Sequence, residues 1–438
     1  MVLAGRSQDN LKYRKIFLLW VPLAAMWLMM GIEMPLINGV IARLADAKAN
    51  LAAFGITLAI ALIVEAPVIQ LLAAGTALAD SKKNYNRLLH FTHILAAGLT
   101  LFHLVLGLSP LYSLLLRSVL KVPEQIIEIS RLSFLWMFPW SAAVAYRRFW
   151  QGVLIRYEKT TVVPVIMVVR ILFSGVVLAA GFSVLNISGA EVGGLALSLG
   201  VTAGAVSSFL FARPLVRNLE DDDSVPVLSW KELGIFYYPL ALTSYMTFMV
   251  RPVLTYGIAR ALYPLESLAV WPVVSNVLFL FRSTAMAYQE VTVSLLKDDM
   301  GHYHLSRFAL ILGGILSAVL LILAATPLGT LVYRSGSGLE NDLLPFTVIP
   351  TWIVVAVPFI TAMISWYRGL LIHKHQTRII AGAVFINSVS LIVIALGGPL
   401  FFELPGGIFA ALAYTGSLAV ELVFLQRKAH SGSEILAS

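Results

Sequence analysis

Five ionisable side chains fall inside long apolar runs of this chain: Glu33, Glu65, Arg170, Arg251 and Arg282. An ionised group near a bilayer centre costs roughly 2.5–3.5 kcal/mol on insertion scales, so it is kept where it meets a counter-charge, a cavity or a ligand. A buried guanidinium offers a rigid fork of donors that matches carboxylate and phosphate oxygens. The chemistry open to these residues is recognition of an anion by arginines, with the carboxylates pairing to them when the site is empty. The plainer alternative is a set of structural ion pairs.

Their spacing has a pattern. Pro22-Leu23-Ala24 returns as Pro239-Leu240-Ala241, Pro35 as Pro252 and Ile41-Ala42-Arg43 as Ile258-Ala259-Arg260, always 217 residues on. Ser109-Pro110-Leu111 with Arg117 returns as Thr326-Pro327-Leu328 with Arg334, and Gly152-Val153-Leu154-Ile155 with Thr160 as Gly369-Leu370-Leu371-Ile372 with Thr377, at the same offset. Gly193-Gly194 and Thr202 are matched to Gly406-Gly407 and Thr415 at an offset of 213. The chain is an internal duplication. In it Glu65 is equivalent to Arg282 and Arg170 to Asn387, while Glu33 and Arg251 lie one position off equivalence. Equivalent helices of a parallel repeat face each other across a pseudo-two-fold axis, so Glu33 is expected opposite Arg251 and Glu65 opposite Arg282. Asn38 and Asn387 add polar groups to the same candidate site. Arg170 either joins it, pairs with a residue of the fourth span or snorkels inward. Pro35 and Pro252 each remove a backbone hydrogen bond and are expected to kink their spans and serve as hinges.

The elements that must hold these residues are membrane helices. The chain is 59% hydrophobic and 12% charged, which leaves no room for a sizeable soluble domain. Twelve spans are expected: Lys15–Arg43, Leu51–Leu78, Arg87–Leu108, Leu132–Ile155, Thr161–Val184 and Val192–Val216, then Leu233–Leu262, Leu265–Leu295, Arg307–Tyr333, Leu344–Ile372, Thr377–Leu396 and Pro405–Leu425. The fold class is all-α and polytopic, with two six-helix lobes. Residues 1–216 form the first lobe, 217–231 a cytoplasmic linker with the acidic run Glu220–Asp223, and 232–438 the second lobe. With the N-terminus in the cytoplasm, inner segments carry 21 Lys and Arg and outer segments seven, which places both termini inside. The segment Leu111–Ile127 is expected to extend the third span or lie at the interface.

Several functions are excluded or disfavoured. No cysteine is present, so disulfide, thiolate and Cys-metal chemistry are absent. No Walker A, HExxH or G-x-S-x-G motif occurs, which argues against ATP hydrolysis and catalysis by this chain. His302, His304, His373 and His375 have metal-compatible His-x-His spacing but read as solvated loop residues. The net charge of +8 is distributed as topology demands, so nucleic acid is not an expected partner.

Two six-span parallel lobes joined by a linker resemble the multidrug/oligosaccharidyl-lipid/polysaccharide exporter (MOP) superfamily, which includes the MATE multidrug exporters. Within it the chain looks similar to the progressive-ankylosis (ANK) family. The residues behind that likeness are Val21-Pro22-Leu23-Ala24-Ala25 with Gly31, Glu33 and Asn38, and Phe236-Tyr237-Tyr238-Pro239-Leu240-Ala241-Leu242 with Arg251-Pro252. Phe138-Pro139 and Gly152-Val153-Leu154 give looser support. The resemblance implies secondary efflux of small organic or phosphorylated anions, such as citrate, pyrophosphate or nucleotides, by alternating access, with Glu33, Arg251 and Pro252 as functional positions. It implies no cofactor; the expected partners are a small anionic substrate, membrane lipid and a coupling cation or proton. Short termini, the lack of cysteine and Pro35 depart from the animal pattern and suggest a bacterial inner-membrane relative. A cation-coupled multidrug exporter and a lipid-linked precursor flippase are the alternatives within the same superfamily.

Overall fold

A computed structural model of the chain describes residues 2–118, 122–183, 187–220, 226–296, 301–336, 339 and 341–434. They form α-helices joined by short turns, with no β-strand among the described residues and one isolated bridge between Leu262 and Pro405.

The eighteen α-helices among the described residues fall into nine repeated pairs. Helix α1 (Val2–Ile41) corresponds to α10 (Trp230–Ile258), α2 (Ala47–Glu65) to α11 (Pro264–Met286), and α3 (Leu71–Leu78) to α12 (Tyr288–Leu295). Helix α4 (Lys82–Leu108) corresponds to α13 (Gly301–Ala325), α5 (Pro110–Ser118) to α14 (Pro327–Leu331), and α6 (Glu124–Trp136) to α15 (Pro345–Val354). Helix α7 (Trp140–Arg156) corresponds to α16 (Val357–His373), α8 (Val162–Ser183) to α17 (Thr377–Phe401), and α9 (Gly189–Arg217) to α18 (Gly406–Glu434). The pairs α3/α12, α7/α16 and α9/α18 both start and end 217 residues apart. The backbone repeats as well. The non-glycine residues with positive φ are Asp46 and Glu158 in the first copy and Tyr263 and His375 in the second, each pair 217 apart. The left-handed conformation is uncommon outside glycine, so its return at both equivalent turns marks the duplication more sharply than apolar pattern does.

This register corrects one detail of the sequence alignment. Gly189, not Gly193, is the partner of Gly406. A Cβ on Gly189 would touch Ile41, and one on Gly406 would touch Ile258, and these isoleucines are themselves 217 apart. Packing follows the same plan: α7 lies against α9, α3 and α4, and α16 lies against α18, α12 and α13.

Eleven helices among the described residues are long and apolar enough to cross a membrane. The twelfth expected span, Leu132–Ile155, is built as α6 followed by α7, with a turn at Met137–Pro139 between them. Each piece is short, and α7 carries Arg147 and Arg148 in its middle, so the segment does not read as a continuous apolar helix. The segment beyond Leu108 forms the separate helix α5 rather than an extension of α4.

By compactness the chain divides into Ala25–Tyr237 and a unit made of Met1–Ala24 with Tyr238–Ser438. The division falls within α1 and α10. The first half of α1 belongs with the second repeat: the Trp20 indole donates to the Thr284 carbonyl at 2.9 Å, and Tyr13 packs edge-on against His304. The linker segment belongs with the first repeat: Asn84 donates to the Pro226 carbonyl at 3.2 Å and accepts from the Leu228 amide at 2.7 Å.

Candidate substrate-binding site

Inside Ala25–Tyr237, α1 delivers Glu33 and α8 delivers Arg170 to one apolar interior. Both are buried. Arg170 Nε donates to Glu33 Oε1 at 2.9 Å, and Nη2 donates to the other carboxylate oxygen. Ser174, one turn along α8, lies with its hydroxyl 3.3 Å from Glu33 Oε1 and 3.1 Å from the Ala196 carbonyl of α9. The ring of Trp140 stands 5.9 Å from the Arg170 guanidinium. A two-pronged pair of this kind satisfies both charges at once, which is the condition under which a buried ion pair is tolerated.

The cluster does not end there. Helix α7 supplies Arg147 and Arg148, and α2 supplies Glu65 at its last residue; all three are buried. The Arg148 guanidinium lies over the Trp27 ring at 5.7 Å. Arg147 is within electrostatic reach of Glu33, Glu65, Arg148 and Arg170. Its Nε and Nη1 have no hydrogen-bond partner among the described residues, and neither has Glu65 Oε2. Three guanidinium groups and two carboxylates are thus buried in this half of the chain. Local sequence explains why α7 can bring its arginines so deep. Pro139 precedes the helix, and Gly204 on α9 has no side chain where Arg147 crosses: a Cβ there would stand 3.2 Å from Arg147 Cδ.

The second repeat has its own buried charge. Glu421 on α18 is 1% exposed. Its Oε1 accepts from Arg368 of α16 at 2.9 and 2.5 Å, and its Oε2 accepts from Asn387 of α17 at 3.0 Å. Here both oxygens of the carboxylate are matched across three helices. Arg282 is half-buried on α11, 5.5 Å from the Tyr414 ring, and its Nε has no hydrogen-bond partner among the described residues.

The residues expected to form the site are thus distributed. Glu33, Glu65 and Arg170 come together, and Arg147 and Arg148 join them. The carboxylate of Glu33 is taken by Arg170 of its own half. Asn387 serves Glu421. Asn38 and Pro35 are exposed on α1, which runs unbroken through the proline. The side chains of Arg251 and Pro252 lie outside the described residues, although their backbone is part of α10. Four charged residues were missed: Arg147, Arg148, Arg368 and Glu421. A count of loop cations absorbs the three arginines because they sit toward the inner ends of their spans. Arg147 nonetheless precedes Ile155 by eight residues, about 12 Å of helix rise, which is deep for a snorkelling side chain.

The all-helical fold matches that of solved MATE transporters. Among solved structures it is similar to a MATE protein in complex with MaL6, with a TM-score of 0.74, 13% identity and 98% of each chain covered. It is similar to the Vibrio cholerae MATE transporter VcmN in its bent form, with a TM-score of 0.71 and 14% identity over 97% of this chain and 98% of that one. A MOP superfamily transporter from Pyrococcus furiosus, described as having a binding pocket of reverse polarity, matches with a TM-score of 0.69 and 13% identity over 95% and 96% of the two chains. No protein-family profile matches the chain, and no curated protein matches it by sequence.

Proposed function

We propose that this protein is a secondary membrane transporter that exports small organic or phosphorylated anions by alternating access of its two repeats. One observation carries the reading: three buried arginines stand against two buried carboxylates within Ala25–Tyr237, with guanidinium donors on Arg147 left open. An interior of that balance attracts an anion and repels an organic cation. The neighbours in fold are transporters, and one of them is described by a reversed pocket polarity, so the architecture accommodates pockets of different charge. The sequence likeness to the progressive-ankylosis family supports citrate, pyrophosphate or nucleotide-like substrates. In this reading Glu33, Glu65, Arg170, Arg251 and Arg282 line the substrate path, Asn38 and Asn387 support it, and Pro35 and Pro252 act as hinges. The protein sits in a bacterial inner membrane with both termini in the cytoplasm.

A second reading, a cation-coupled multidrug exporter, draws on a different observation: Glu65 Oε2 is buried without a hydrogen bond and is a natural seat for a proton or cation. Efflux from proteoliposomes separates the two. Vesicles loaded with labelled citrate, pyrophosphate or ATP are expected to lose at least one of them in a protein-dependent manner. Loss of a cationic dye with none of the anions would overturn the anion reading in favour of the exporter of drugs.

A further inference from the structure

We propose that Arg147 anchors one carboxylate or phosphate group of the transported anion, in the place where the second repeat carries a carboxylate of its own. The inference rests on the reading of the chain as an anion transporter and assigns that reading to a residue.

The internal repeat is the template. In the second copy, α16, α17 and α18 are tied together by a single acid: Glu421 accepts from Arg368 and from Asn387. The equivalent positions 217 residues earlier are Gly204, Gln151 and Arg170. Helices α7, α8 and α9 therefore keep the donor-bearing helices but have glycine where the acid stands. The room beside Gly204 is crossed instead by the stem of Arg147, which lies one helical turn before Gln151 on the same face of α7. Polarity at equivalent places is inverted, with an acid in one copy and a guanidinium in the other.

No group of the cluster accepts a hydrogen bond from Nε or Nη1 of that guanidinium in this arrangement. Glu33 has both oxygens engaged by Arg170. Arg148 rests on Trp27. Glu65 lies within electrostatic reach, but its Oε2 takes no donor from Arg147 in this arrangement. Arg147 is 3% exposed, so bulk water does not solvate it. A buried charged donor without an acceptor is costly. One acid group supplied from outside the chain meets that need. It would play for α7, α8 and α9 the part that Glu421 plays for α16, α17 and α18. The site selects for a free acid group and leaves the remainder of the molecule unspecified, which suits a transporter of several anions.

The test uses the full chain in lipid nanodiscs and equilibrium binding of labelled citrate, pyrophosphate and ATP. Wild type is expected to bind at least one of them, Arg147→Gln to bind it about tenfold or more weakly, and Arg147→Lys to fall between, since it keeps charge but loses the fork. Binding by Arg147→Gln within about twofold of wild type would overturn the inference while leaving anion transport in place. Failure of wild type to bind any of the three, with no anion efflux from proteoliposomes, would sink the functional reading and this inference with it. Should Arg147→Gln not fold, Gly204→Glu decides. It restores on α9 the acid that α18 carries, so it is expected to raise the melting temperature and abolish anion binding; unchanged binding would overturn the inference.

Discussion

Glu33 and Arg170, 137 residues apart in sequence, close a two-pronged ion pair between α1 and α8 in an interior that excludes water. Removing one partner strands the other charge. Glu33→Ala and Arg170→Ala should each cost about 3–5 kcal/mol of stability. The double substitution should cost clearly less than their sum, because it removes both charges together. Unfolding in detergent micelles for the four proteins of the cycle measures this, and additive losses would show that the two side chains do not act as a pair.

Much of the fold is legible in the sequence because duplication leaves residues that only backbone geometry explains. Pro35/Pro252 and Gly152/Gly369 recur at one offset, and the helix boundaries follow them. The register slipped only at α9 and α18, where a Gly-Gly pair occurs near both helix starts and the alternatives differ by about one turn, so apolar periodicity cannot choose between them. The site was half legible. An acid or arginine in the middle of an apolar run announces itself, as Glu33, Glu65 and Arg170 do. Arg147 and Arg148 do not, since α7 is interrupted and polar enough to resemble the inner end of a span. Glu421 lies four residues from the expected end of its span and looks interfacial until α16 and α17 are placed around it. Which arginine meets which carboxylate depends on helix packing, which is why the Arg170–Glu33 pair is not legible from repeat symmetry.

The acid of the second repeat offers a graded test. Asn387 gives Glu421 one hydrogen bond and Arg368 gives it two. Asn387→Ala should cost about 1.5–3 kcal/mol, the range for a hydrogen bond to a charged group. Arg368→Ala should cost more, about 3–5 kcal/mol, because it leaves a buried carboxylate without its counter-charge. Thermal unfolding of the two variants should preserve that order, and a milder effect from Arg368→Ala would mean that Glu421 is held neutral.

In the middle of α6 an exposed Glu128 pairs with the partly exposed Arg131, with distances of 2.7 and 2.9 Å. Hydrogen bonding to the Arg131 guanidinium holds the Glu128 carboxyl below its ordinary range. A carboxyl whose pKa is depressed by folding contributes stability above its unfolded value and loses it as pH falls through the folded value. The protein should therefore become slightly less stable as Glu128 protonates in acid, by less than about 1 kcal/mol given the exposure of the pair. Arg131→Gln should remove that part of the pH dependence, which melting curves across the acid range would reveal.

Glycine distribution makes the last prediction, because it separates close approach from mere tolerance. At the α3/α7 crossing a Cβ on Gly152 would lie 2.4 Å from the Leu72 carbonyl oxygen, and one on Gly75 would lie 2.8 Å from the Phe149 carbonyl oxygen. Both obstacles are backbone, which cannot swing aside as a side chain end can. The α12/α16 crossing repeats the contact with Gly369, whose Cβ would stand 2.6 Å from that of Thr292. Gly98 on α4 and Gly175 on α8 face open space instead. Gly152→Ala and Gly369→Ala should each destabilise by about 1–3 kcal/mol, the cost of overpacking. Gly98→Ala should be neutral or stabilise by up to about 1 kcal/mol, the helix preference for alanine. If all three substitutions behave alike in thermal unfolding, the helices at these crossings are not in backbone contact. Should the two crossing variants fail together while Gly98→Ala does not, then α7 and α16, which carry Arg147 and Arg368, are fixed in depth by the same device in both repeats.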